Sequence, residues 1–273
     1  MTDIAPSARP LALITGASAG IGVAFARAYA ARGYDLALVA RRADRLEALA
    51  AELSARHGIE AFAVPADLAE WEACSRVMAA VEARGRVVDA LVNNAGFSIA
   101  QSFAGVPWSR QRDFLMTLVV NACGLAHLAI PGMVERGRGS IVNVASLTAF
   151  APGVAGHSLY PGAKSLAVKW SQSLAAELSG QGIKVTAVCP GFTLTEFADA
   201  NGTKQVMDQA PRRFFQTPEQ VVEATLAAND RGKVVVVPGW HNKLAVAVLK
   251  LTPEFIAIPL IKRGSAKYHL EDS

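Results

Sequence analysis

Tyr160 and Lys164 stand four residues apart in a stretch with helical patterning, so their side chains share one helical face. An ammonium beside a phenol favours the phenolate. That lowers the tyrosine pKa and makes the residue a usable proton donor and acceptor near neutrality. Ser146 follows an apolar run, Ser140–Ala145, that reads as a strand, which sets its hydroxyl at a strand's carboxyl end. Alone, a tyrosine four residues before a lysine is commonplace and mostly structural. What gives it weight is a second cluster, TGASAGIG at residues 15–22, standing between an apolar run and a helical pattern.

That glycine spacing suits a dinucleotide. Gly16 permits a tight turn, Gly20 lets backbone approach a diphosphate, and Gly22 allows close packing of the following helix. Ser18, Ala19 and Ile21 complete the turn. The free N–H groups and positive dipole end of the helix then face the anion. The second strand, Asp35–Ala40, ends in Arg41-Arg42 with Ala40 where an acid would meet the ribose 2′-OH of NAD. Arginine there accommodates the 2′-phosphate of NADP(H), although both residues also read as solvated charges opening a helix. Asp67, after the third strand, is placed either to meet the adenine edge or to cap a helix.

The elements that must position these groups alternate without interruption. Strands are expected at Leu11–Thr15, Asp35–Ala40, Ala61–Pro65, Ala90–Asn93, Ser140–Ala145, Lys184–Val188 and Val234–Val237. Helices are expected at Gly20–Ala31, Arg45–His57, Glu70–Arg84, within Arg110–Arg136, at Tyr160–Ser179 and at Pro218–Asn229. Strands apolar throughout, each followed by a helix, imply an α/β fold: one Rossmann-type, doubly wound parallel sheet with helices on both faces. Residues 1–239 form one dinucleotide-binding and catalytic domain, and 240–273 an apolar extension. Of the 273 residues 52% are hydrophobic and 18% charged, below the roughly 25% charged of an average soluble chain, which excludes disorder for most of it. A net charge of +4 without a basic run gives no nucleic-acid footprint. Cys74, Cys123 and Cys189 match no metal spacing and read as core thiols in a reducing compartment, so no metal site is expected. No targeting segment is read at the start. The most lipid-like stretch, Leu244–Ile261, is interrupted by Lys250, Pro253, Glu254 and Pro259, and a cytoplasmic protein is expected.

TGASAGIG (15–22), NNAG (93–96), Asn121, Ser146, YPGAK (160–164) and PG (190–191) follow one another as in the short-chain dehydrogenases/reductases, which residues 10–240 resemble. The resemblance implies that Tyr160 is the general acid/base and that Ser146 bonds the substrate oxygen. Lys164 would hold the nicotinamide ribose and lower the Tyr160 pKa, and Asn121 would hold a water in a proton relay. It further implies that Asn94 contacts the adenosine side, with Asn93 more structural, and that Thr193 or Thr195 meets the carboxamide. Two departures stand out. Pro161-Gly162 occupies the catalytic segment, where a first-turn proline is tolerated, and Ala19 replaces an arginine that some NADP-using members carry. Arg41, with or without Arg42, is left as the 2′-phosphate contact.

The expected reaction is NADP(H)-dependent hydride transfer between nicotinamide and a carbonyl or secondary alcohol. A silent dinucleotide sensor has no need of Ser146, Tyr160 and Lys164, and a methyltransferase explains neither YPGAK nor Ser146. Leu147–Leu159 and Phe192–Thr217 should wall the cleft with Phe150, Phe192, Phe197, Phe214 and Phe215, which favours a hydrophobic ketone, aldehyde or acyl carbonyl. His157 is a polar surface residue or a substrate contact. The resemblance also implies a homodimer or homotetramer. Trp240–Ile261 reads as a lid over the cleft, a contact with another subunit or, ranked last because Pro253 and Pro259 break a long helix, a membrane-surface segment.

Overall fold

The computed structural model describes residues 9–153, 156, 159–197, 211–253 and 255–259. The apolar runs become strands β1 (Leu11–Thr15), β2 (Asp35–Ala40), β3 (Ala61–Pro65), β4 (Ala90–Asn93), β5 (Gly139–Val144), β6 (Ile183–Val188) and β7 (Val235–Val236). All pair in parallel, in the order β3-β2-β1-β4-β5-β6-β7. The helices are α1 (Gly20–Ala31), α2 (Ala43–His57), α3 (Ala73–Glu82), α4 (Trp108–Leu115), α5 (Asn121–Glu135), α6 (Leu159–Glu177), α7 (Pro218–Asp230) and α8 (Trp240–Leu251).

Alternation along β1 explains the two layers, because successive side chains leave a strand on opposite faces. Ala12 and Ile14 pack with Phe25 and Tyr29 of α1, Leu46 and Leu53 of α2, and Val222 and Leu226 of α7. Leu11 and Leu13 pack with Val77 and Val81 of α3, Leu125 and Met133 of α5, and Leu174 of α6. The chain runs outward from β1 to β3, then returns to lay β4 on the other side of β1. The crevice at the carboxyl ends of β1 and β4 is therefore the switch point where this sheet class binds ligands.

Two helices differ most from expectation, and α8 at Trp240–Leu251 adds one that the periodicity did not indicate. α3 begins at Ala73 and ends at Glu82, later and shorter than the expected Glu70–Arg84, because Asp67 and Glu70 first hold a turn. The helix expected within 110–136 is divided by a π turn at Met116–Val120, where the Asn121 N–H bonds back five residues to the Met116 carbonyl. Single π turns inside α-helices commonly mark functional sites. Among the described residues, Trp108–Glu135 is the helical stretch long and apolar enough to cross a membrane by composition. Phe114, Leu125, Ala126, Ala129 and Met133 nonetheless place it in the core.

The amino-terminal edge of the sheet carries an ionic network. Arg86, buried, pairs with Asp35 at 2.8 Å and Glu60 at 3.0 Å. Asp89 accepts from the Leu11 N–H at 3.0 Å and faces Arg136 at 3.3 Å. The first turn of α8 is tied to the sheet at the opposite edge, where buried Asn242 donates to Gln216 Oε1 at 2.9 Å and the Pro238 carbonyl at 2.8 Å.

Candidate active site

The glycine-rich turn is built as its residue types require. Gly16 and Gly20 have φ of 66° and 52°, a region that favours glycine. A Cβ on Gly22 would lie 2.1 Å from the Gly16 carbonyl oxygen, so the third glycine lets the turn fold on itself as well as letting the helix start. Ala19, the N-cap of α1, offers no side-chain acceptor, which leaves the first N–H groups of the helix for a ligand. This open cradle fits a dinucleotide diphosphate. Ile21 packs against the core below. Asn94 holds the turn from β4: its Nδ2 donates to the carbonyls of Thr15 (2.9 Å) and Gly16 (3.3 Å).

At the end of β2 the two arginines separate. Arg42 directs Nε and NH2 onto Ser18 Oγ at 3.2 and 3.0 Å, against the glycine-rich turn. Arg41 is largely exposed, 3.9 Å from Asp67. Asp67 Oδ1 accepts from the Ala69 N–H at 3.0 Å, so it closes a turn while its other oxygen faces Arg41. Asp67 is therefore not a helix cap, since Glu72 stands at the N-cap of α3.

Across the crevice, Ser146 stands just beyond β5 and Tyr160 and Lys164 on the first turns of α6. Ser146 caps the short 3-10 turn Leu147–Phe150, its hydroxyl accepting from the Thr148 N–H at 3.2 Å. The Ser146 side chain also hydrogen-bonds Tyr160. The Tyr160 ring lies between Phe114 and Phe197, with centroids 6.4 and 6.3 Å away. Lys164 is buried, its Nζ 5.5 Å from the Tyr160 ring centroid and donating to the Val144 carbonyl at 2.7 Å.

The expected lowering of the phenol pKa does not hold in this arrangement. Burial pushes Tyr160 up to about 12, against the Ser146 bond that lowers it. Burial also brings Lys164 down to about 8. The aromatic neighbours leave the tyrosine half-buried, and the ammonium is directed at the Val144 carbonyl. Tyr160 is therefore a protonated donor at neutral pH.

Asn121 opens α5, directly after the π turn. Its side chain is fully buried and faces the β3–α3 connection: Nδ2 donates to the carbonyls of Leu68 (2.9 Å) and Glu70 (2.8 Å), and Oδ1 accepts from the Cys74 N–H (2.9 Å). Both amide hydrogens of that side chain are thereby engaged, and its oxygen keeps one lone pair. Beside Lys164 lies a small cavity of about 20 Å³, bordered by Thr15, Asn93, Thr117, Leu118, Asn143 and Lys164. Asn93 Oδ1 is buried there without a partner, while its Nδ2 donates to Asn143 at 2.9 Å. A cavity of that size beside an unpaired buried acceptor has room for one ordered water.

Residues 191–197 form a strap from the end of β6 back over the turn. Thr193 bridges Gln216 and turns its hydroxyl onto the Gly191 carbonyl at 3.1 Å. Thr195 lies over Gly20, where an added Cβ would come within 2.8 Å of its methyl group. Asn242 crowds Gly191 in the same way, so α8 anchors the base of the strap, a role sequence reasoning missed. His157 lies outside the described residues, as do 198–210 of the expected cleft wall and 260–273 of the extension.

A switch-point crevice, a cradle for a diphosphate and a Ser–Tyr–Lys set define a nicotinamide-dinucleotide oxidoreductase on a Rossmann-type sheet. More narrowly, the profile of the family described as short chain dehydrogenase matches residues 10–206, and the chain belongs to that family. It is 32% identical over 248 residues to the ketoacyl reductase HetN of Nostoc sp., covering 88% of this chain and 84% of that one. A short-chain dehydrogenase from Sphingobium yanoikuyae in complex with NADPH superposes with a TM-score of 0.76 at 34% identity, covering 94% and 95% of the two chains. A structure described for 7β-hydroxysteroid dehydrogenase stereoselectivity superposes at 0.82 with 27% identity, covering 92% and 96%. The chain is accordingly an oxidoreductase of CH–OH and C=O groups.

Proposed function

We propose that this chain is an NADP(H)-dependent reductase of hydrophobic carbonyl compounds, with Ser146, Tyr160 and Lys164 as its catalytic residues. The observation that carries the reading is the pairing of a half-buried, protonated Tyr160 with Ser146 at one side of a cradle whose opposite wall carries Arg41 and Arg42. A nicotinamide dinucleotide held by the glycine-rich turn and Lys164 would supply the hydride. Tyr160 gives its proton to the carbonyl oxygen as the alcohol forms, and Ser146 orients that oxygen and stabilises its developing charge. Lys164 holds the ribose and carries the nearest positive charge. The α1 N-terminus receives the diphosphate, and Thr193 and Thr195 close the strap beside the carboxamide.

The NADP(H) preference is supported by the arginines, by the missing acid at Ala40 and by the NADPH-bound relative. The substrate class is supported by aromatic rings at the cleft. Phe192 stacks on Phe215 at 5.4 Å and both Phe192 and Phe197 remain exposed, while two of the relatives are named a ketoacyl reductase and a 7β-hydroxysteroid dehydrogenase. A homodimer or homotetramer in the cytoplasm completes the proposal. The test is NADPH oxidation over a panel of bulky ketones, aldehydes and 3-oxoacyl compounds, with NADH in parallel. Turnover of apolar carbonyls with NADPH preferred is expected; reduction by NADH alone, or of small polar carbonyls alone, overturns it.

A further inference from the structure

Glu196 is where three parts of the site meet. Its carboxylate accepts from Arg42 NH1 at 3.3 Å and from Arg45 NH1 at 3.0 Å to each oxygen. The remaining edge of the same Arg42 guanidinium is on Ser18, through Oγ at 3.0 and 3.2 Å and the carbonyl at 3.3 Å. The preceding residue, Thr195, lies over Gly20. The strap thus sets an anion on the one arginine that reaches the glycine-rich turn, 154 residues away in sequence. The bond from Arg45, with that from Arg42, holds the Glu196 carboxyl below its usual range, so it is charged at neutral pH.

We propose that Glu196 is a specificity-determining residue: its carboxylate takes, on Arg42, the place that a ribose 2′-phosphate needs, so a phosphorylated dinucleotide binds by displacing it. The inference rests on the NADP(H) reading above. A guanidinium offers five donors in a fixed fork, and here Nε and NH2 are spent on Ser18 and NH1 on Glu196. A phosphate monoester brings a second anion, close to two negative charges, to the same fork. Two anions on one exposed guanidinium repel, and the weaker-held one leaves. Arg45 is the residue that receives Glu196 when this happens, since it already bonds both carboxylate oxygens. A dinucleotide without the 2′-phosphate meets no such competition. Binding of NADP(H) is then coupled to the strap, whose Phe197 ring stands 6.3 Å from Tyr160, so the adenosine end is read at the catalytic end.

The test titrates the full chain with 2′,5′-ADP and 5′-ADP by calorimetry, and with NADPH and NADH by fluorescence. Glu196→Gln should tighten 2′,5′-ADP and NADPH roughly two- to fivefold, the range of an exposed ion pair, and leave 5′-ADP and NADH unchanged. Arg45→Gln, which leaves Glu196 to Arg42 alone, should weaken 2′,5′-ADP, and the double variant Arg45→Gln/Glu196→Gln should recover the loss. Glu196→Gln that leaves 2′,5′-ADP unchanged, weakens it, or shifts both nucleotides alike overturns the proposal; the last result would make Glu196 a plain clamp. If instead the wild type binds 2′,5′-ADP no better than 5′-ADP, and neither Arg41→Ala nor Arg42→Ala alters either, the NADP(H) reading fails and this proposal falls with it.

Discussion

The two ends of the sheet carry polar groups in similar number and use them in opposite ways. At the amino-terminal edge, Asp35, Glu60, Arg86, Asp89 and Arg136 are paired with one another across strands. Asp35 also accepts from the Glu60 N–H at 2.7 Å, and Arg86 donates to the Arg9 carbonyl at 3.2 Å. The exception at this edge is the Asp89–Arg136 approach, where Asp89 Oδ1 and Arg136 Nε are buried 3.3 Å apart without a hydrogen bond. At the carboxyl edge, burial has pushed Tyr160 up and Lys164 down, Asn93 keeps an unpaired buried oxygen, and the first turn of α1 keeps its N–H groups open. A satisfied polar group stabilises the fold and can do nothing else. An unsatisfied one costs stability and is available for chemistry.

The largest effect should come from the carboxyl edge and fall on rate alone. Tyr160→Phe keeps the ring between Phe114 and Phe197 but removes the proton, and general acid catalysis is worth about 10²–10⁴-fold. kcat should drop by that factor while Tm and the Kd for NADPH hold. Retained turnover in the purified variant would remove Tyr160 from the reaction.

The converse should hold at the other edge. Asp35→Ala leaves Arg86 buried with its nearest carboxylate gone, and breaking one partner from a buried pair costs about 3–5 kcal/mol. Urea unfolding should register the loss, whereas kcat and KM of the still-folded fraction should match the wild type. A loss under about 1 kcal/mol, the size of an exposed pair, would mean the network is solvated and the contrast between the edges fails.

How much of this was legible in the sequence follows the same division. β1 to β4 could be read to the residue because each is a short apolar run bounded by a turn signal such as Gly16, Gly33 or Gly58, whose positive φ has a local cause. Tyr160 and Lys164 were readable because helical spacing alone puts them on one face. The π turn was not, since one extra residue in a helical turn leaves the apolar pattern of 108–135 nearly intact. The orientation of Asn121 was hidden for the related reason that its partners, Leu68, Glu70 and Cys74, are some fifty residues away. Arg41 and Arg42 are neighbours of one type, and only the start of α2 decides which one turns to Ser18. Asn242 and Glu196 gain their roles from contacts 26 and 154 residues off, which no local pattern records.

The smallest effect is the sharpest test of the contrast, because it predicts a gain. Lys164 carries its charge in a buried site, and burial takes its pKa from 10.5 to about 8. At about 1.4 kcal/mol for each unit, the folded state bears a penalty of roughly 3 kcal/mol for keeping that charge at neutral pH. The bond to the Val144 carbonyl, whose loss costs about 1–2 kcal/mol, offsets part of it. Lys164→Met keeps the stem and removes the charge, so it should stabilise the chain by roughly 1–2 kcal/mol, a few degrees in Tm, while turnover falls. The sign of the pH dependence follows from the lowered pKa. Between about pH 8 and 10.5 the unfolded chain binds the proton that the folded chain has released, so wild-type stability rises through that window. The advantage of Lys164→Met should therefore be full at pH 7 and fade as pH climbs toward 10.5. Calorimetric melts of both proteins without added dinucleotide, at pH 7 and at pH 9.5, supply the comparison. If Lys164→Met melts lower at both, the Val144 bond outweighs the buried charge, and Lys164 belongs with Arg86 among the groups that hold the fold.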